Sequence, residues 1–168
     1  MSRQRQENSP TKLKILCAAE KIFVEKGYDG ASVEEIAQLA TVNKSQLFYY
    51  FGSKENILKT LIKKHIQEVE MIIKDTFDQR ILHDMQSFDE LVEKMLQFFR
   101  ERENIIRIVM LELLKNSSKD LSFFELFNPL YEIIKTLTLN YGGKIEDPET
   151  SIIEFFYRDI IPLTLFIV

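Results

Sequence analysis

The segment from Ser32 to Lys54 constrains the fold most strongly, because it contains two helix-capping signals in close succession. Ser32 is followed by Glu35 at the spacing of a capping box, in which the serine hydroxyl and the glutamate carboxylate each accept a hydrogen bond from the other residue's amide. Asn43 and Gln46 repeat this spacing. The segment is therefore predicted to form two short helices with a tight turn between them.

The second of these helices carries a polar surface beside a narrow apolar face. Leu47 and Phe51 lie at helical spacing and are predicted to face the core. The side chains on its other sides are those of Lys44, Ser45, Gln46, Tyr49 and Tyr50. Lysine, glutamine and tyrosine contact bases and phosphates in DNA readers, and two short helices joined by a tight turn form a helix-turn-helix. A purely structural helix pair is the alternative.

From Ile15 to Leu58 the chain closely resembles the DNA-binding domain of the TetR family of transcriptional repressors, over about a quarter of the sequence. The resemblance rests on two stretches, ILCAAEKIFVEKGYDGAS and VEEIAQLATVNKSQLFYYFGSKENIL. It implies that the helix from Lys44 to Phe51 is the recognition helix and carries the DNA-contacting residues Lys44, Ser45, Gln46, Tyr49 and Tyr50. It also implies that Ser32 and Lys54 bind backbone phosphates, as groups at helix N-termini commonly do.

Two positions depart from the family pattern. Thr41 stands where the family generally has a turn glycine, so the turn must either avoid a positive φ or tolerate some strain. Phe48 stands where a tyrosine is usual, so one hydroxyl directed at phosphate is expected to be missing. Neither departure is expected to break the fold.

Composition favours an almost entirely helical chain. The 168 residues include only five glycines and four prolines, and no long alternation of β-branched residues occurs. The fold is predicted to be all-α, with a disordered arm at residues 1–10 and a three-helix helix-turn-helix domain at residues 11–58. A long helix is predicted to join this domain to a helical body at residues 59–168, which the resemblance identifies as a ligand-binding and dimerisation domain.

Charge is distributed unevenly along the chain. Residues 1–64 contain 11 Lys+Arg and 7 Asp+Glu, for a net charge of +4, whereas residues 65–168 contain 11 and 19, for −8. A basic amino-terminal part can steer one end of a molecule toward DNA. An excess of this size is also compatible with ordinary solvated surface charge.

Helical periodicity predicts a first helix from about Thr11 to Lys26, which Gly27 ends, and a long helix from Ser53 to about Phe77. Cys17 is predicted to be a buried thiol on the apolar face of the first helix. It is the lone cysteine, which excludes a disulfide framework. Together with the absence of an apolar leader at the amino terminus, this favours a reducing cytoplasm.

The carboxy-terminal body is rich in phenylalanine and methionine, which indicates a hydrophobic core. The family resemblance adds a ligand pocket whose occupation alters DNA affinity, and large apolar side chains suit an apolar or aromatic effector. The residues predicted to line this pocket are Met95, Phe98, Phe99, Met110, Phe123, Phe127 and Tyr131. A solid core without a cavity is the alternative.

The sequence ends in the apolar run IIEFFYRDIIPLTLFIV. Charged residues and a proline interrupt this run of about 17 residues, so a membrane span is not expected. By resemblance, the last helices of the body form a dimer interface, with candidate residues Ile152, Phe155, Phe156, Ile160 and Leu163. The run stops without a cap or a polar tail, so a truncated chain that lacks part of this interface is a further expectation.

Enzyme motifs are absent from the sequence. It contains no G-x-x-x-x-G-K-[ST], no G-x-G-x-x-G, no H-E-x-x-H and no G-x-S-x-G. His65 and His83 lie far apart without a cluster of further ligands at metal spacing, so no metal site is expected. Neither a cofactor nor an enzymatic activity is predicted.

These observations favour a DNA-binding transcriptional regulator of the TetR type. Its predicted activity is that of a repressor, which binds a pseudo-palindromic operator as a homodimer and is released by a small hydrophobic ligand. One alternative is a helical protein-interaction module in which the helix-turn-helix is structural. Another is a helical protein anchored to membranes by its last apolar run. Salt-dependent, sequence-specific DNA binding separates the first from the second, and sedimentation with lipid vesicles tests the third.

Overall fold

A computed structural model of the chain describes residues 9–78, 85–116 and 125–140. Within these ranges the chain is built from α-helices and contains no β-strand, which confirms the predicted all-α fold. The helices are α1 Pro10–Gly30, α2 Val33–Leu39, α3 Lys44–Phe51, α4 Lys54–Asp78, α5 Met85–Glu101, α6 Glu103–Asn116 and α7 Asn128–Asn140. The chain divides into two compact units, Met1–Ile62 and Lys63–Val168.

Helix α1 begins with proline at its first position, where the missing N–H costs no helical hydrogen bond. Its buried residues are Ile15, Leu16, Ala18, Ala19, Ile22 and Phe23. The predicted end at Lys26 coincides with a break in the helix rather than with its last residue. Gly27 has φ 73° and ψ 168°, which favours glycine, and one further turn follows to Gly30.

The prediction that Cys17 is buried is wrong, because its side chain is exposed. Ile15, Ala18 and Ala19 define the buried face of α1. Cys17 lies two residues after Ile15, which places it roughly 200° around the helix axis, on the opposite side. The position of the residue in the helical repeat, and not its apolar character, decides its exposure.

The core of the first unit is formed by residues from all four of its helices. The largest side chains that are almost completely buried there are those of Ile15, Phe23, Ile36, Leu47, Ile57, Leu58 and Leu61. Burial of each such side chain stabilises the fold by about 1.5–3 kcal/mol relative to exposure. This core holds α3 by Leu47 and Phe51, as the apolar spacing predicts.

The turn between α2 and α3 is a Schellman motif with a threonine at its left-handed position. The Val42 amide donates to the Ala37 carbonyl over 3.0 Å, and the Thr41 amide donates to the Gln38 carbonyl over 3.1 Å. Thr41 has φ 57°. Of the two possibilities that the sequence left open, the turn therefore adopts the strained one, a positive φ on a β-branched residue.

The second unit contains the rest of α4 and helices α5 to α7. Ile105, Ile106, Ile108 and Val109 are buried in α6 and contribute to the core of this unit. Glu112 is also buried, and its Oε1 accepts from Lys115 Nζ over 2.8 Å. None of the helices in the described ranges is both long and apolar enough to cross a bilayer.

Candidate nucleic-acid interface

The first capping box forms as predicted and fixes the start of α2. Ser32 Oγ accepts from the Glu35 amide over 3.2 Å, and Glu35 Oε2 accepts from the Ser32 amide over 3.0 Å. Glu35 Oε2 also accepts from the Ser32 hydroxyl over 2.7 Å, and Glu35 Oε1 forms an ion pair with Lys26. The hydrogen bond from Lys26 and those from Ser32 lower the pKa of Glu35 from 4.5 to about 2.

The second capping box also forms as predicted and starts α3. Asn43 Oδ1 accepts from the Gln46 amide over 2.7 Å, and Gln46 Oε1 accepts from the Asn43 amide over 3.2 Å. Gln46 therefore uses its carbonyl oxygen within the protein, while its side chain remains exposed. Because both ends of the box are satisfied, this short helix begins at a fixed residue.

Helix α3 presents most of the predicted DNA-contacting residues on its exposed side. Lys44, Ser45, Gln46 and Tyr49 are exposed, and Tyr49 has 71% of its surface accessible. Tyr50 is half-buried, and its hydroxyl lies 3.1 Å from Ser9 Oγ, a contact that the sequence does not predict. The α3 segment thus offers one short polar surface, supported from beneath by the buried core residues already described.

The first residue of α3 is held by an acidic residue of α2. Lys44 Nζ pairs with Glu34 Oε1, and the hydrogen bond from Lys44 is the largest cause of a lowered pKa at Glu34. The same ammonium lies 5.7 Å from the centre of the Phe48 ring, which is partly exposed. Sequence reasoning did not identify Glu34 as part of this surface, because its first-turn position is already explained by the helix dipole.

Lys54 lies in the first turn of α4 and binds the protein's own backbone. Its Nζ donates to the Tyr28 carbonyl over 2.8 Å and to the Ala31 carbonyl over 2.9 Å, and it lies 4.4 Å from the centre of the Tyr28 ring. The family resemblance assigns Lys54 to phosphate and does not reveal these acceptors. The last carbonyl groups of a helix and its C-cap need donors from outside the helix, and this need is the only signal in the sequence for the contact.

The predicted ligand-pocket residues that the structure describes all lie in the second unit. Phe98, Phe99, Phe127 and Tyr131 are buried, while Met95 and Met110 are half-buried. The rings of Phe98 and Phe99 meet edge to face with centres 5.7 Å apart, and the Arg102 guanidinium lies 4.4 Å from the Phe98 ring centre. Phe123 lies outside the described residues.

Other predicted features also lie outside the described residues. These are residues 1–8 of the amino-terminal arm, His83, and the dimer-interface candidates Ile152, Phe155, Phe156, Ile160 and Leu163. Among the residues that are described, no group of three or more His, Cys, Asp or Glu side chains is arranged to hold a metal ion.

Residues 15–61 match the family model described as bacterial regulatory proteins, tetR family. The chain is 30% identical over 92 residues to the HTH-type transcriptional activator FasR of Mycolicibacterium smegmatis, a match that covers 51% of this chain and 42% of FasR. It is 38% identical over 58 residues to the HTH-type transcriptional repressor NicS of Pseudomonas putida, covering 34% of this chain and 27% of NicS. The matched segments thus span less than half the length of these curated relatives.

Solved structures share the fold over nearly the whole chain. A TetR-family regulator from Mesorhizobium loti superposes with a TM-score of 0.63 at 19% identity, covering 99% of this chain and 86% of that one. A second, from Shewanella sp. PV-4, has a TM-score of 0.64 at 22% identity and covers 94% and 85%. The family-model match and the related regulators therefore show that residues 15–61 are similar to the amino-terminal domain of TetR-family regulators, and the solved structures share the fold of the chain.

Proposed function

We propose that the chain is a ligand-controlled repressor that reads a pseudo-palindromic operator with α3. The observation that supports this best is the exposed polar side of α3, which carries Lys44, Gln46 and Tyr49 on a helix that is capped at its start and anchored by buried side chains. Lysine can donate to guanine or phosphate, and glutamine can pair with adenine, in a major groove that is wide enough for one helix.

Two further residues are proposed to fix the orientation of α3 through the DNA backbone. Ser32 is the N-cap of α2, and its hydroxyl would exchange its hydrogen bond to Glu35 for one to a phosphate oxygen. Lys54 lies in the first turn of α4. An ammonium has three N–H donors, and the two carbonyl hydrogen bonds of Lys54 leave one of them for a phosphate oxygen. Phosphate contacts of this kind set register without carrying sequence information.

The proposed working unit is a homodimer. A helix of eight residues reads only a few base pairs, so two copies on half-sites spaced by about 34–36 Å, or a multiple, would supply the required specificity. The interface is assigned to the apolar run near the end of the sequence. The relatives include a named repressor and a named activator, so the repressor assignment is part of the proposal.

Control is proposed to come from an apolar ligand bound in the domain at residues 59–168. The buried aromatic residues Phe98, Phe99 and Phe127 supply a suitable chemical environment. Helix α4 is continuous from Lys54 to Asp78 and therefore belongs to both units. A ligand that prefers one arrangement of this helix would change DNA affinity by a coupling free energy of about 1–3 kcal/mol.

Selection of bound duplexes from a random library, with the full chain, tests DNA reading. The expected result is an enriched two-fold motif whose binding weakens as salt is raised. Equal recovery of all duplexes, or no binding, would contradict the proposal and favour a structural helix-turn-helix in a protein-interaction module.

Ligand control requires a separate test with the selected operator. Candidate fatty acids and aromatic compounds are titrated against the free protein and against the protein–operator complex. Linkage requires a ligand that releases DNA to bind the complex more weakly than the free protein. Equal affinities for a compound that binds would show that the proposed coupling does not exist.

A further inference from the structure

The ion pair between Glu34 and Lys44 joins the two helices of the helix-turn-helix at the proposed DNA surface. Glu34 lies in the first turn of α2, and Lys44 is the first residue of α3. Both side chains are well exposed, by 63% and 53%. The pair is therefore accessible to DNA rather than buried, and a DNA phosphate can compete with the carboxylate for the same ammonium.

We infer that Glu34 is a specificity-determining residue, which holds the Lys44 ammonium and weakens binding to non-operator DNA. This inference rests on the proposed function of α3 as the recognition helix. Glu34 is not assigned any contact with DNA itself. Glu34 acts through Lys44: it positions the Lys44 ammonium and places a negative charge beside that ammonium.

The proposed effect follows from the different requirements of phosphate and base contacts. A phosphate carries a full negative charge. Lys44 can therefore bind a phosphate only if that charge comes close to the Glu34 carboxylate or if the ion pair between Lys44 and Glu34 breaks. Guanine offers the neutral acceptors O6 and N7, which an ammonium can reach with donors that the carboxylate does not use. Glu34 should therefore disfavour non-specific phosphate binding more than it disfavours the operator contact.

The size of the effect is limited by solvent. Exposed ion pairs contribute little because water and salt screen them, and a change of about two- to fivefold in dissociation constant is the expected range for non-operator DNA. If Lys44 gains a phosphate when Glu34 is neutral, the salt dependence of that binding should steepen by up to about one unit in the logarithmic slope.

A second ion pair on the same domain provides a matched control. Glu55 Oε1 lies 2.7 Å from Lys59 Nζ, and both residues belong to α4 rather than to the recognition helix. Glu55→Gln removes the same charge as Glu34→Gln and leaves Lys44 paired. Any general effect of a less negative domain on DNA affinity should appear in both variants.

The experiment measures dissociation constants by fluorescence anisotropy at several salt concentrations. The proteins are wild type, Glu34→Gln, Lys44→Gln, the double variant and Glu55→Gln. Each is titrated against the selected operator and against a scrambled duplex of the same length and composition. Circular dichroism of each variant first establishes that its helical content and melting temperature match those of the wild type.

The inference predicts that Glu34→Gln binds the scrambled duplex about two- to fivefold more tightly than wild type, with a smaller change on the operator. In the Lys44→Gln background the same substitution should have no effect beyond that of Glu55→Gln. If Glu34→Gln strengthens both duplexes equally, or acts equally without Lys44, Glu34 contributes only general charge and the inference is wrong. A wild type without operator preference would instead overturn the proposed function, and the inference with it.

Discussion

Lys54 Nζ donates a hydrogen bond to the Ala31 carbonyl over 2.9 Å, and Ala31 immediately precedes the N-cap residue of α2. The same ammonium donates to the Tyr28 carbonyl in the last turn of α1. One side chain at the start of α4 thus fixes the backbone that leads into the helix-turn-helix. A lysine that the family pattern assigns to DNA phosphate therefore also has partners within the domain.

The first prediction concerns this contact. Lys54→Met should lower the free energy of unfolding by about 1–3 kcal/mol, because two carbonyl groups lose a charged donor. Urea denaturation measures this loss, and Lys63→Met, at an exposed position of the same helix, is the control. Lys54→Met should also lower the logarithmic salt slope of DNA binding by about one unit. Unchanged stability with a reduced salt slope would mean that Lys54 serves only as a phosphate ligand.

The second prediction concerns the strained turn at Thr41. Thr41→Gly should stabilise the fold by about 0.5–1 kcal/mol. A left-handed conformation costs a non-glycine residue about 1–2 kcal/mol, and the greater conformational entropy of glycine in the unfolded chain cancels part of the gain from removing this cost. Thr41→Ala keeps the Cβ atom and should gain less. Chemical denaturation of both variants compares them with wild type. If the glycine variant were less stable than wild type, the interactions of the threonine side chain would stabilise the turn by more than its positive φ costs.

The third prediction concerns pH. The folded-state pKa of Glu35 is depressed from 4.5 to about 2, so its hydrogen bonds and ion pair stabilise the fold above pH 4.5 and are lost as pH falls toward 2. The stability difference between wild type and Glu35→Gln should therefore shrink between about pH 5 and about pH 2. Lys26→Met should reduce the same pH dependence by removing the partner. Urea denaturation across this range would contradict the assignment if the difference stayed constant.

The fourth prediction separates the two roles of Gln46. Glutamate also closes a capping box, so Gln46→Glu should preserve the melting temperature. It cannot offer the paired donor and acceptor that adenine requires, so operator binding should weaken by about 1–3 kcal/mol with loss of preference at one base pair. Gln46→Ala should lower both stability and binding. Retained sequence preference in the glutamate variant would exclude Gln46 as a base reader.

The sequence predicts the capping boxes correctly because each depends on residues three positions apart. Ser32 with Glu35, and Asn43 with Gln46, need no knowledge of the tertiary fold. The apolar spacing of α3 likewise identifies Leu47 as a core residue without further information. Local periodicity and local hydrogen bonding therefore define the helix-turn-helix.

The contacts that the sequence does not predict join separate elements. Lys54 reaches carbonyl groups 23 and 26 residues away, and the Ser9 hydroxyl meets Tyr50 across 41 residues. Such partners depend on how helices pack, which residue types alone do not define. The wrong prediction for Cys17 has a different origin, because it placed Cys17 on the apolar face of α1, whereas the residue lies on the exposed side, roughly 200° around the helix axis from Ile15.

The fifth prediction tests the central claim that α3 reads bases. Dissociation constants are measured for wild type and Lys44→Ala on the selected operator and on operators with single base-pair changes. Lys44→Ala should weaken operator binding by about 1–3 kcal/mol, and one base change that weakens wild-type binding should no longer affect the variant. Unchanged affinity together with an unchanged base preference in Lys44→Ala would contradict the assignment of this helix as the DNA reader.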